Sequence, residues 1–118
     1  MTQLARLRTS ADFRRVRETG AFWRGRRISL NAARRPDADG SMSRVGLIAT
    51  KRVGGAVQRN RARRLMREAL RSLAPRVMMD WDFVFIAQPA LLAGKAGLLD
   101  ARGEVAWLLN KARAILPD

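Results

Sequence analysis

Apolar and polar residues recur along the chain at spacings that predict both helices and strands. The first helix is predicted from Ser10 to Thr19, with Thr9 or Ser10 as its N-terminal cap and Gly20 as its stop. Its main apolar side chains lie three residues apart, so they share one face of the helix. This face can pack against the rest of the protein.

Two strands are predicted on either side of a turn-forming segment. Residues 27–34 alternate between apolar and polar side chains, and residues 44–50 carry mainly small or branched apolar side chains. The segment RRPDADGSMS that links them contains Pro, Asp and Gly, which favour turns. We therefore expect the two strands to pair antiparallel across this loop.

The second half of the chain predicts a long helix after Gly54-Gly55, a buried strand and a final helix. The strand Trp81–Ala87 (WDFVFIA) is apolar on both faces, as expected of a central strand. The final helix is expected to begin near Asp100 as its N-terminal cap. The resulting order, α-β-β-α-β-α, indicates a single α+β domain over residues 1–118, with helices packed on a small sheet.

Positive charge is concentrated in the first part of the chain. The sequence has 24 Lys and Arg residues against 10 Asp and Glu, a net charge of +14, and all of this excess lies before residue 72. All but three of the basic residues are Arg, whose planar guanidinium suits phosphate groups and stacks on bases. The charge therefore favours a nucleic acid as the partner.

The residue inventory argues against a catalytic polypeptide. The sequence has no Cys and no His, and its acidic residues are spread out instead of gathered as a two-metal site requires. We therefore expect no catalytic and no metal-binding residue. The N-terminal segment contains scattered arginines and does not have the pattern of a signal peptide. No apolar run approaches the roughly 18 residues of a membrane span. We expect a soluble, cytoplasmic protein without a membrane partner.

The segment KRVGGAVQRNRARRLMREALR, residues 51–71, combines eight cationic side chains with regularly spaced apolar residues. At about 100° per residue, the two kinds of side chain fall on opposite arcs of one helix. The cationic arc holds Arg59, Asn60, Arg63, Arg64, Arg67 and Arg71, while Arg61 lies outside it. The apolar arc holds Ala62, Leu65, Met66, Ala69 and Leu73, with Leu70 at its boundary.

Like charges on one helix face repel each other, so this arrangement favours an anionic partner such as nucleic acid. The alternatives are a solvated face or contact with an anionic membrane, which requires an exposed apolar face. Before the helix, Lys51 and Arg52 precede a glycine turn and a helix N-terminus, an arrangement suited to a phosphate. These residues are equally consistent with an ordinary strand-to-helix turn that binds no phosphate.

Residues 51–71 resemble the signature motif of bacterial ribonuclease P protein subunits. That motif has a basic pair, a short Gly turn and then Arg-Asn-Arg at the start of a basic helix. The segments RLRTSADFRRVRETG, RVGLIATKRVG and DFVFIAQPA resemble the family's first helix and the strands that flank the motif helix. The resemblance covers roughly residues 4–115.

The resemblance implies a role as a subunit of an RNA enzyme. In this family a catalytic RNA hydrolyses a phosphodiester bond to remove the 5′ leader of precursor tRNA, with Mg²⁺ held mainly by the RNA. The implied partners are the catalytic RNA and the leader, without an obligate protein partner. The implied fold is ribosomal protein S5 domain 2-like, with a short edge strand near Ala21–Trp23 and a left-handed strand–helix–strand crossover.

The resemblance also implies which residues bind RNA. Through the motif, these are Lys51, Arg52, Arg59, Asn60, Arg61, Arg63, Arg64 and Arg67. The single-stranded leader is expected in a cleft with Phe13, Arg17 and Asn31, of which the last two stand where the family often has aromatic residues. Base stacking there is therefore expected to be weaker. A small basic ribosomal or ribosome-assembly protein is the alternative, and only the motif around residues 51–67 distinguishes the two.

Overall fold

The computed structural model describes residues 4–37, 39–93 and 97–117, which form one five-stranded sheet with helices on both faces, the predicted α+β arrangement. The strands are β1 (Ala5–Arg6), β2 (Ala21–Trp23), β3 (Ile28–Arg34), β4 (Arg44–Ala49) and β5 (Trp81–Ala87). The helices are α1 (Ser10–Thr19), α2 (Ala56–Leu73) and α3 (Leu98–Lys111), and short 3₁₀ turns cover Ala74–Arg76 and Pro89–Leu91.

Strand β5 occupies the middle of the sheet, whose order is β1-β4-β5-β3-β2. It pairs antiparallel with β3 and parallel with β4, so Phe85 is the register partner of both Leu30 and Leu47. The prediction that β3 and β4 pair directly is therefore wrong. Because β5 is buried along nearly its whole length, its backbone groups need partners at both edges, and it separates the two strands.

The observed elements differ from the sequence prediction in two respects, an additional strand and the N-terminal cap of α3. Strand β1 was not predicted, because its two residues are too few to show an alternating pattern. Asp100 is not the N-terminal cap of α3, since Gly97 takes that position and donates its N–H to the Asp100 carboxylate at 3.2 Å. This carboxylate caps the helix from within its first turn. The predicted edge strand, Ala21–Trp23, is confirmed.

The sheet carries a separate apolar core on each face. On one face α2 and α3 cover Phe83 and Phe85 of β5. On the other face Val16 of α1 packs in a cluster with Val84, the intervening residue of β5. The apolar arc predicted for α2 is buried at Ala62, Met66, Ala69, Leu70 and Leu73, whereas Leu65 is partly exposed.

A buried ion cluster holds α1 against the sheet. Asp82 of β5 has no solvent exposure, and its carboxylate accepts hydrogen bonds from Arg15 of α1 and from Arg44 of β4, the latter at 2.7 and 2.6 Å. Asp12 of α1 lies 3.7 Å from the same Arg44 guanidinium. The hydrogen bond to Asp82 raises the pKa of Arg44 above its ordinary value, so Arg44 remains a cation.

Replacing the buried carboxylate should destabilise the protein. We expect Asp82→Asn to lower the free energy of unfolding by about 2–4 kcal/mol, because two partly buried arginines lose their anion. Urea denaturation measures this change, and Glu18→Gln, an exposed position on α1, serves as the control. Equal midpoints for the two variants would show that the cluster does not hold α1 in place.

Candidate nucleic-acid interface

Helix α2 presents its predicted RNA-binding residues away from the core. The exposed members are Asn60, Arg61, Arg64 and Arg67, and the partly exposed members are Arg59 and Arg63. The apolar arc of the same helix is packed against the sheet and α3. Because both arcs belong to one helix, packing of the apolar arc fixes the direction in which the arginines point.

The arginines of α2 keep their charge available for a ligand. Within the described residues, the one ion pair on α2 joins Arg71 to Glu68 at 3.2 Å. Arg63 donates a hydrogen bond to the Asn60 side chain at 2.6 Å, a contact that leaves its charge unneutralised. The Nε atom of Arg59 is buried without a hydrogen-bond partner there. The cationic arc therefore favours an anion placed against it.

Several of the described carboxylates form ion pairs with arginines outside α2. These ion pairs are Asp82 with Arg15 and Arg44, Glu104 with Arg27, and Asp37 with Arg35. The hydrogen bond from Arg35 lowers the pKa of Asp37 below its ordinary value, so this carboxylate stays ionised at neutral pH. These acidic residues thus compensate arginines outside α2, and most arginines of α2 have no carboxylate partner among the described residues.

Lys51 and Arg52 are exposed on a tight turn between β4 and α2. The N–H of Gly54 donates to the carbonyl oxygen of Lys51 at 3.2 Å, and Gly54 has φ 143°, a conformation that favours glycine. Gly55 caps α2 without a side-chain hydrogen bond, and the first turn holds no acidic residue. The N–H groups at the start of α2 therefore follow two exposed cations in the sequence, and a phosphate site here stays a prediction.

Phe13, Arg17 and Asn31 line one cleft of about 250 Å³ between α1 and the sheet, here called the leader cleft. Phe13 and Arg17 lie one turn apart on α1, whereas Asn31 belongs to β3. The other lining residues are Ile48, Thr50, Val84 and Ile86. Asn31 is 8% exposed, and no described residue makes a hydrogen bond with its side-chain amide. The amide is therefore available to a ligand in the cleft.

Gly46 of β4 allows the Phe13 ring to lie directly on the sheet. A Cβ atom at position 46 would come within 2.4 Å of two ring carbons of Phe13, closer than non-bonded atoms approach. The ring remains partly exposed in this position. Because glycine has no side chain, Gly46 determines the position of the Phe13 ring in the leader cleft.

A larger groove, of about 930 Å³, lies at the β1 edge of the sheet and was missed by sequence reasoning. It carries five arginines from two segments of the chain, namely Arg6, Arg8, Arg63, Arg67 and Arg71. The available signal was the repeated Leu and Arg of LARLR. This repeat becomes informative only once β1 is known to pair with β4 and so to face the end of α2.

Neither a metal-binding cluster nor a membrane-spanning helix is found within the described residues. Within residues 4–37, 39–93 and 97–117, no three His, Cys, Asp or Glu side chains are grouped so that they could hold a metal ion. None of the helices in these ranges has the length and apolar character needed to cross a membrane.

The fold and its unneutralised arginines define a small α+β protein suited to contact a polyanion, and sequence comparisons identify the family. The family model described as Ribonuclease P matches residues 1–113. The ribonuclease P protein component of Roseiflexus sp. (strain RS-1) is 46% identical over 93 residues, which are 79% of this chain and 74% of the relative. That of Chloroflexus aurantiacus (strain J-10-fl) is 39% identical over 118 residues, 99% of this chain and 83% of the relative.

Solved structures share the fold. An RNase P protein mutant from Staphylococcus aureus with defective mRNA degradation activity has a TM-score of 0.81 at 24% identity, covering 93% of this chain and 89% of that one. The RNase P protein from Thermotoga maritima has a TM-score of 0.78 at 22% identity, covering 90% and 96%. The chain belongs to the ribonuclease P protein family. The roles of its individual residues in RNA binding stay predictions.

Filling the space at Gly46 should displace Phe13. We expect Gly46→Ala to lower the free energy of unfolding by about 1–3 kcal/mol, because the ring must leave its place. In the double variant with Phe13→Ala, the cost of Gly46→Ala should shrink, giving a coupling energy of about 0.5–3 kcal/mol. Urea denaturation of the two single variants and the double variant measures it. Additive losses would mean that the ring does not rest on Gly46.

Proposed function

We propose that this protein binds the catalytic RNA of ribonuclease P and the 5′ leader of precursor tRNA, and thereby assists removal of the leader. Membership of the family makes an RNA subunit its partner in a ribonucleoprotein endoribonuclease. The observation that carries the finer proposal is the arginine face of α2, which the carboxylates of the described residues leave largely unneutralised. A polyanion is the chemical complement of this face.

In this proposal α2 docks on the phosphate backbone of the catalytic RNA. Its guanidiniums offer planar forks of donors that match phosphate oxygens. The Asn60 carbonyl holds the Arg63 guanidinium at 2.6 Å, which restricts its rotamers before RNA arrives, and the Asn60 amino group remains free to donate. Lys51 and Arg52, beside the uncapped start of α2, provide a second phosphate contact.

The single-stranded leader lies in the leader cleft. The Phe13 ring stacks on a base, Arg17 at the rim neutralises a phosphate or stacks in turn, and the Asn31 amide hydrogen-bonds a base edge. The cleft walls from β4 and β5 are apolar, with Ile48 and Val84 among them. Unpaired bases can cover such walls, whereas a duplex keeps its bases stacked inside.

Hydrolysis is assigned to the RNA subunit. The protein has no His and no Cys, and within the described residues no three acidic side chains are grouped so that they could hold a metal ion. We therefore propose that Mg²⁺ is held mainly by the RNA, where it supplies charge stabilisation for phosphodiester hydrolysis. The protein contributes by holding substrate and catalytic RNA together in a productive orientation. A cytoplasmic location stays a prediction.

Reconstitution at low Mg²⁺ concentration tests the proposed function. Adding the purified protein to catalytic RNA and precursor tRNA should stimulate 5′ cleavage, and more strongly when the substrate carries a long leader. The measurement is the rate at which the mature 5′ end appears. Absence of stimulation, combined with tight binding of ribosomal RNA, would indicate the ribosomal alternative. Cleavage without any added RNA would indicate a protein nuclease.

Single arginines of α2 should contribute phosphate contacts to assembly. We expect Arg63→Ala and Arg67→Ala each to weaken binding of the catalytic RNA, and to reduce the slope of log affinity against log salt concentration by about 0.7–0.9. Titration of labelled catalytic RNA at several salt concentrations measures both effects. Arg102→Ala, at an exposed position on α3, is the matched control. An unchanged slope would mean that the replaced arginine does not contact phosphate.

A further inference from the structure

The arginine groove, lined by Arg6, Arg8, Arg63, Arg67 and Arg71, has walls from two distant parts of the chain. One wall is the N-terminal segment that contains β1, and the other is the second half of α2. The three arginines on α2 are spaced four residues apart, so they form one row along the helix. The groove is thus a channel with cations on both sides.

The arginines of this groove are largely free of carboxylate partners. Within the described residues, the one ion pair among the five is that of Arg71 with Glu68, whose Arg71 side chain is 69% exposed. Solvent-exposed pairs of this kind are weak, so Arg71 can exchange its carboxylate for a phosphate. All five side chains can therefore bind an anionic ligand.

Apolar side chains line the groove between the two rows of arginines. They include Leu7 and Leu70, which are 2% and 4% exposed, together with Val45 and Leu47 of β4. Cations beside an apolar lining suit single-stranded RNA, because phosphates reach the guanidiniums while unpaired bases cover the apolar atoms and stack on Arg or aromatic planes. A duplex offers no unpaired base to that lining.

Phe13 joins the arginine groove to the leader cleft, because its side chain lines both cavities. The two cavities differ strongly in charge. Arg17 is the one cation among the residues that line the leader cleft, whereas five arginines line the groove. A nucleic-acid strand that passes Phe13 therefore moves from a weakly charged surface to a strongly charged one.

We infer that the leader of precursor tRNA continues past Phe13 into the arginine groove, where the phosphates farther from the cleavage site bind Arg6 and Arg8. This inference rests on the proposed function and adds a second RNA subsite to it. The α2 wall, with Arg63 and Arg67, is shared with the surface proposed for the catalytic RNA. Arg6 and Arg8 lie on the other wall, so these two arginines distinguish leader binding from assembly.

The test replaces both arginines with glutamine and varies the length of the leader. For the assembled complex, Arg6→Gln/Arg8→Gln should match the unchanged protein on leaders too short to pass Phe13. On longer leaders it should lose roughly tenfold in substrate affinity, since two exposed phosphate contacts disappear. The slope of log affinity against log salt concentration should then fall by about 1.4, because each contact to a single strand contributes about 0.7.

The control variant is Arg102→Gln/Arg113→Gln, which removes the same charge at exposed positions that line neither cavity. This variant should show no dependence on leader length. Urea denaturation verifies that both double variants fold. As a second measurement, a photoreactive nucleotide in the distal part of a long leader should crosslink to the peptide that contains residues 4–8.

Two outcomes would overturn the inference. Equal losses at every leader length, with weaker binding of the isolated catalytic RNA, would assign the groove to the catalytic RNA. No loss at any length, without a crosslink from the leader, would leave the groove without an RNA ligand. Neither outcome would contradict the proposed function. That proposal would be contradicted if the unchanged protein gave no leader-dependent stimulation of 5′ cleavage.

Discussion

Burial of β5 on both faces is the constraint on which both layers of this protein depend. Phe83 and Phe85 support α2 and α3 on one face, and Val84 supports α1 on the other. Asp82, at the start of the same strand, binds arginines of α1 and β4. The strand therefore sets both the position of α1 over the leader cleft and the orientation of the arginines on α2. A single strand connects the packing of the core to the geometry of two surfaces.

The positions of the acidic residues determine which surfaces of the protein keep a net positive charge. Several of them compensate arginines that hold elements together, such as Arg27 just before β3 and Arg44 in β4. Among the described residues, the arginines on α2 and beside β1 have no carboxylate partner except for Arg71, which pairs with Glu68. Repulsion among them opposes folding of the free protein, and an RNA that binds the folded state relieves it and stabilises that state by mass action.

The helices and strands could be predicted because apolar residues repeat at periods of about 3.6 and 2. The order of the strands could not, since alternation shows which face a side chain takes and not which strand lies beside it. Phe13 and Arg17 are four residues apart on one helix, so their proximity follows from the sequence. Asn31 joins them only through tertiary packing and was placed there by family resemblance. The clustering of Asp82 with Arg15 is likewise a contact between distant segments.

The arginine groove could not be predicted from the sequence either, because it depends on how distant segments pack together. Arg6 belongs to β1, a strand of only two residues, and Arg8 follows it closely. A strand this short shows no alternating pattern from which its pairing with β4 could be predicted. Their relation to Arg63 and Arg67 arises because β4 and α2 fold back on each other through the turn at Gly54. Charge counting could locate the basic residues along the chain, but the shape of the surface that they form depends on the sheet.

Helix α2 carries its apolar arc and its cationic arc on the same backbone. This arrangement constrains the length of the helix as well as its composition. Each residue added or removed within the helix turns everything beyond it by about 100° relative to the sheet. A single insertion between Arg59 and Arg67 would bring guanidiniums toward the core or turn core residues toward solvent. Length changes in this segment are therefore tolerable only near whole numbers of helical turns, and this restriction is independent of any single side chain.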